Sequence, residues 1–210
     1  MNPRELSHLI AAVIILTLVF SLSEIIRGNL QNIPFIFIFS SVIVFLAVFS
    51  KKLIASLLDS NVEHELWFLH RLSLTSPFKK PIAVGLIIPI ILSVISLGFI
   101  KFASILTYET RALKRRAAKR HGFYSYTEMT DFENAIIGST GIVVMLLLSL
   151  VAYLVPSIEL LSKIAAYYAF WNMLPISKLD GTQIFFGSRV IYAVLAIITI
   201  IFALYALLII

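Results

Sequence analysis

Residues 62–71 read VEHELWFLHR. Two histidines with a glutamate between them can hold and use a zinc ion: the imidazoles bind the metal and the carboxylate activates its water. On a helix this chemistry needs His-Glu-x-x-His, because positions i and i+4 share a face. Here four residues, not two, separate Glu65 from His70. At about 100° per residue, His64 and His70 would stand roughly 240° apart on a helix. On a strand they would share a face but lie about 20 Å apart. Neither geometry gives both imidazoles to one ion. The alternation around Trp67 and Phe68 fits a strand or an interfacial segment instead.

Two further stretches carry polar chemistry. Residues 171–181 read WNMLPISKLDG and put Asp180 at the end of an apolar run. An ionisable residue at membrane depth costs roughly 2.5–3.5 kcal/mol on insertion scales and needs a partner. The same residues also read as a helix end with a glycine turn at the interface, where an Asp costs little. The other stretch is basic: Arg111, Lys114, Arg115, Arg116, Lys119 and Arg120. Residues 107–121 read as an Ala-rich helix stopped by Gly122. Its cations suit anionic headgroups, at about 1 kcal/mol each near the surface. They are not interleaved with stacking aromatics, so no nucleic-acid partner is expected.

The elements that must position these residues are membrane helices. The chain has 210 residues, of which 60% are hydrophobic and 13% charged. A soluble domain of this size needs more surface charge. The class is a polytopic membrane protein, all-α, with residues 1–210 as one membrane domain in the cell membrane. There is no cysteine, which excludes disulfides, thiolate metal sites and a cysteine nucleophile. The first apolar run reads as a retained span, since no small-residue cleavage site follows it.

A span needs about 20 apolar residues. Apolar runs lie near 8–26, 33–50, 81–100, 135–156, 160–176 and 190–210. Thr130 or Asp131 offers a cap for the fourth main span. The polar segments flanking 81–100 are both rich in Lys and Arg, and cationic loops collect in the cytoplasm. A re-entrant element at 81–100, interrupted by Pro89, reconciles the two. Five full spans plus that element are expected, with six ordinary spans as the alternative. The N-terminus and the basic segment 101–134 are then cytoplasmic. A short strand-like segment is expected after the second span.

Asn172, Pro175, Leu179, Asp180 and Gly181 together resemble the Asn-x-x-Pro-x-x-x-Leu-Asp-Gly motif of the site-2 protease family of intramembrane zinc metalloproteases. The family's Ala-Gly-Pro-x-x-Asn stretch has a weaker counterpart in AIIGSTGI. Gly138 matches the glycine there, while Ser139 and Ile142 replace the Pro and the Asn. The resemblance covers about residues 33–190. It implies that Asp180 sits where the family has its third zinc ligand. It also implies a His-Glu-x-x-His motif at the end of the second span. Laying down the archaeal pattern puts Ala47 and Lys51 at the two His positions and Val48 at the Glu position. Ala and Val bring no ligand atoms, and Lys brings a cation where zinc would sit.

The expectation is therefore a family-like protein without proteolytic activity and without a cofactor, a pseudoprotease. It would hold a transmembrane client or partner protein in the lipid bilayer, with Lys51 and Asp180 as a buried ion pair in place of the metal. Two alternatives stay open. One is an active zinc protease with non-standard ligands around Asp180, His64 among them. The other is a transporter or membrane scaffold.

Overall fold

The computed structural model describes residues 2–71, 77–114 and 128–208, with side chains from 70 to 80 left aside. The chain begins with two long antiparallel helices, α1 (Pro3–Ile26) and α2 (Ile33–Leu57), joined by a short 3-10 turn. Asn2 caps α1 through its side chain, and a proline stands in the first turn of each helix, where its missing N–H costs nothing. A strand-rich segment follows: β1 (Ser60–Leu66), β2 (Phe68–Arg71) and β3 (Pro77–Ala83). Next come a short helix α3 (Val84–Ile95), a strand β4 (Leu106–Ala112), and the long helix α4 (Asp131–Tyr153). The chain closes with α5 (Glu159–Asn172), α6 (Asp180–Gly187) and α7 (Arg189–Leu208).

Among the described residues four helices are long and apolar enough to cross a membrane: α1, α2, α4 and α7. Their outward faces carry bare hydrophobic side chains such as Phe37, Phe45, Phe49, Leu147 and Ile201. That surface suits an apolar solvent, as the surface of a membrane protein does. Thr130 caps α4 in a full capping box with Glu133. Small residues let the helices approach closely. Ser149 and Ser162 seal α4 to α5 reciprocally, each hydroxyl donating to the other's carbonyl at 3.0 and 2.7 Å.

Three expectations are corrected. The protein is not all-α, because β1 pairs with β4 and β2 with β3 in two small antiparallel sheets. Residues 107–121 do not form one helix, since 106–112 are β4. Leu106 to Tyr108 are buried, and from Tyr108 onward burial alternates, with Glu109 and Arg111 exposed, while Thr107 and Thr110 favour the strand. Of the basic residues, Arg115, Arg116, Lys119 and Arg120 lie outside the described residues. The run 160–176 is not one continuous helix. Asn172 folds its amide back onto the Tyr168 carbonyl at 2.8 Å, and the helix ends before Pro175, which cannot continue it. Fourteen residues span about 21 Å, short of the roughly 30 Å core.

The run 81–100 is likewise short as a helix: α3 has 12 residues, about 18 Å. Its course is defined by three ties. Trp67 accepts the Gly85 N–H at its carbonyl and donates its own N–H to the Ile105 carbonyl, both at 2.9 Å. The excursion from 85 to 105 thus begins and ends at one residue. Between those points α3 packs along α1, with the Ser93 hydroxyl on the Val19 carbonyl at 3.3 Å. The chain then reverses at Gly98, which lies against Ser23.

Gly98 and Gly28 both have a positive φ, +78° and +80°. A Cβ at 98 would stand 2.8 Å from the Ser23 nitrogen, whereas nothing lies within 4 Å of one at 28. Both Gly→Ala changes carry the left-handed strain of about 1–2 kcal/mol. Gly98→Ala adds an overpacking cost of roughly 1–3 kcal/mol. Thermal unfolding in detergent is therefore expected to show Gly98→Ala clearly below Gly28→Ala. Equal losses would mean that the reversal does not seat on α1.

Candidate functional site

At one end of the bundle lie the last turns of α2, the first turns of α4, the β1–β4 sheet and the start of α6. Lys51, six residues before the end of α2, is 4% exposed, and Asp180, the first residue of α6, is 2% exposed. The Lys51 ammonium donates to Asp180 Oδ2 at 2.5 Å. It also sits over the Tyr108 ring, 4.6 Å from the centroid. The cation thus has one carboxylate and one aromatic face, the two partners that make a buried ammonium tolerable.

The backbone makes room for this pair at two glycines. A Cβ at Gly141 would lie 2.5 Å from Lys51 Cε, and one at Gly138 2.6 Å from the Tyr108 hydroxyl. The hydroxyl donates to the Asn134 carbonyl at 2.7 Å, which fixes the ring on α4. Gly141 lies ten residues into α4, about 15 Å along its axis. Gly181 is enforced too, because any side chain there would collide with the Met173 carbonyl where the chain turns into α6. Asn172 is buried and accepts from the Ser104 hydroxyl at 3.1 Å, tying α5 to the returning limb of the 85–105 excursion. Leu179 is fully buried, whereas Pro175 is exposed in the loop between α5 and α6.

Ala47 and Val48, one turn before Lys51, are buried in the same hydrophobic core. The donor set does not fit zinc. Hydrocarbon stands at two positions and a hydrogen-bond-donating ammonium at the third, in contact with the one carboxylate. Among the described residues no three His, Asp or Glu side chains gather closely enough to hold a metal ion. Asp180 and His64, the ligands of the alternative zinc set, have different partners.

His64 belongs to a second polar network that sequence reasoning missed. Glu5 is buried at the start of α1 and accepts from the Lys52 ammonium at 2.6 Å. The same carboxylate oxygen accepts the His64 backbone N–H at 3.2 Å and faces His64 Nδ1 at 3.4 Å. Burial pulls the His64 pKa down to about 4; the Glu5 hydrogen bond opposes this, and Lys51 and Lys52 reinforce it. The imidazole is neutral near pH 7. The available signal was Lys52 beside Lys51: on a helix the two point about 100° apart, so each needs its own acid. His70 is in β2, in the other sheet. Arg111 is exposed and faces Glu63 at 3.5 Å, and Lys114 is exposed.

Two measurements test this geometry. Gly141→Ala should destabilise the protein by about 1–3 kcal/mol by crowding Lys51, and should cost much less in a Lys51→Ala background. A double-mutant cycle of unfolding free energies with no coupling would show that Lys51 does not occupy that space. For His64, the folded pKa lies below the ordinary 6.5. The unfolded chain therefore binds the proton first as pH falls, and stability is full above about 6.5 and declines towards 4. The loss reaches about 3 kcal/mol at most, and His64→Gln should flatten that part of the stability–pH curve.

Compared with protein-family models, curated proteins and solved structures, the chain finds no match.

Proposed function

We propose that the protein is a site-2-protease-like membrane protein that has exchanged zinc chemistry for an internal ion pair and acts by binding a transmembrane client. The observation that carries this reading is the Lys51–Asp180 contact. The motif resemblance puts those two residues on one metal, and they meet, although 129 positions apart in the chain. The ammonium supplies at Asp180 the positive charge a zinc ion would supply. It offers no Lewis acidity and no bound water, so it cannot activate a nucleophile for peptide hydrolysis.

The same reading gives the other elements roles. The 85–105 excursion is the re-entrant element, entering and leaving the membrane at Trp67. Helices α5 and α6 form one span broken at Pro175, with Asp180 at the break. The polar end carries the cytoplasmic N-terminus. A client's juxtamembrane segment has a place to bind in the polar groove beside α6, about 530 Å³ between Tyr108, Thr110, Asn134, Lys178 and Gln183.

Metal analysis of the purified protein tests the exchange. The expected zinc content is far below one per chain and unchanged in Asp180→Ala. Near-stoichiometric zinc that Asp180→Ala removes would overturn the reading in favour of a protease with unorthodox ligands. The combined variant Ala47→His, Val48→Glu, Lys51→His tests the alignment itself: it should gain about one zinc per chain, held by the two introduced imidazoles and Asp180 with water in the fourth tetrahedral position. A correctly folded triple variant that gains no zinc would show that these positions do not converge on Asp180.

A further inference from the structure

At the opposite end of the bundle lies a groove that this functional reading does not use. Its volume is about 520 Å³, and it runs between the reversal of the 85–105 excursion, α5 and α7. Its walls are apolar: Phe99, Tyr167, Phe170, Ala203 and Leu204 among them. From Ile200 to Leu207 it follows α7 for about 10 Å. The charged residue in its lining is Lys101.

Lys101 is half-buried beside the Phe20 ring, 5.8 Å from its centroid. Among the described residues its ammonium makes no ion pair. The charges around it are Glu24, Arg27 and Lys163, two cations to one anion. Glu24 is engaged by the Asn32 amide at 2.8 Å, and Glu159, which pairs with Lys163 at 3.0 Å, serves that lysine instead. With one acid against two neighbouring cations, and no ion pair of its own among the described residues, the half-buried ammonium favours a further anion from outside the chain. An apolar slot ending at such a cation matches a molecule with a hydrocarbon tail and an anionic head.

We propose that this groove binds an anionic phospholipid, one acyl chain lying between α5 and α7 and the headgroup phosphate on Lys101. The charge pattern selects the occupant: apolar walls that end at a cation suit an acyl tail with an anionic head. The basic neighbours Arg27 and Lys163 add to the attraction for a head with net negative charge and little for a zwitterion.

The test uses the full chain in nanodiscs of equal phosphatidylglycerol and phosphatidylcholine, released into native mass spectrometry. The expected result is one retained lipid, with phosphatidylglycerol preferred roughly fivefold, the effect of about one interfacial cation. Lys101→Gln should bring that preference to near parity, and Ala203→Trp, which fills the slot, should abolish retention. If Lys101→Gln does not fold, Lys101→Arg, expected to keep the preference, and Ala203→Trp carry the test together. Equal retention of both lipids by the unmodified protein would overturn the proposal. So would full retention in Ala203→Trp, or a photo-crosslinker at Leu204 that captures polypeptide in place of lipid.

Discussion

Two opposite charges removed from water and from each other's alternatives set the terms for one end of this protein. A buried ammonium and a buried carboxylate each lose several kcal/mol of hydration, and their attraction recovers it only when geometry is good. Around Lys51 and Asp180 the geometry is made by other residues. Gly141 yields the space for the lysine stem, Tyr108 offers its ring face, and Gly181 lets the chain turn so that Asp180 begins a helix. There its charge also faces the favourable end of the α6 backbone dipoles. The pair joins α2 to α6, and the glycines of α4 lie between them. Removing either partner strands the other, which makes the contact a strong constraint on helix register even where its net contribution to stability is small.

The neighbouring Lys52 does the same work for a different set of elements. Its carboxylate, Glu5, also takes the backbone N–H of His64. One side chain of α1 thus occupies the open edge of β1 while neutralising α2. An unpaired strand edge at a membrane boundary would otherwise invite another chain to pair with it. On the far edge of the sheet, the Gln183 amide donates to the Tyr108 carbonyl at 3.0 Å. Both margins of the β1–β4 pair are covered by side chains from helices, so the sheet is held inside the bundle's end.

Much of this was legible in residue order. Hydropathy marked the long helices, and the Thr130–Glu133 spacing marked the start of α4. The alternation after α2 marked a strand, and the wrong spacing of His64 and His70 argued against a shared metal. The spacing from Asn172 to Gly181 singled out Asp180. What was not legible involved partners far apart in the chain. Nothing local to Glu5 says that it meets His64, 59 positions later. Nothing local to 106–112 says that β1 is waiting for it, so the Ala-rich sequence beyond it dominated the reading. The length of α5 was misjudged for a related reason. Hydropathy continues through Met173 and Leu174, but the backbone is stopped by Pro175 and by an asparagine that bonds its own helix.

The separation of Lys51 from Asp180 has a consequence in time. A chain is made at about 5–20 residues per second. The lysine is therefore synthesised about 6–26 seconds before its acid exists, the interval set by their separation of 129 positions. During that interval α2 carries, near its C-terminal end, a cation without its acid. Lysine's long stem allows the ammonium to reach towards the headgroups and wait there. Only when α4 and α6 have arrived can it turn inward over Gly141. The contact that sets the register of α2 against α6 can therefore form only after the C-terminal half of the chain has been made.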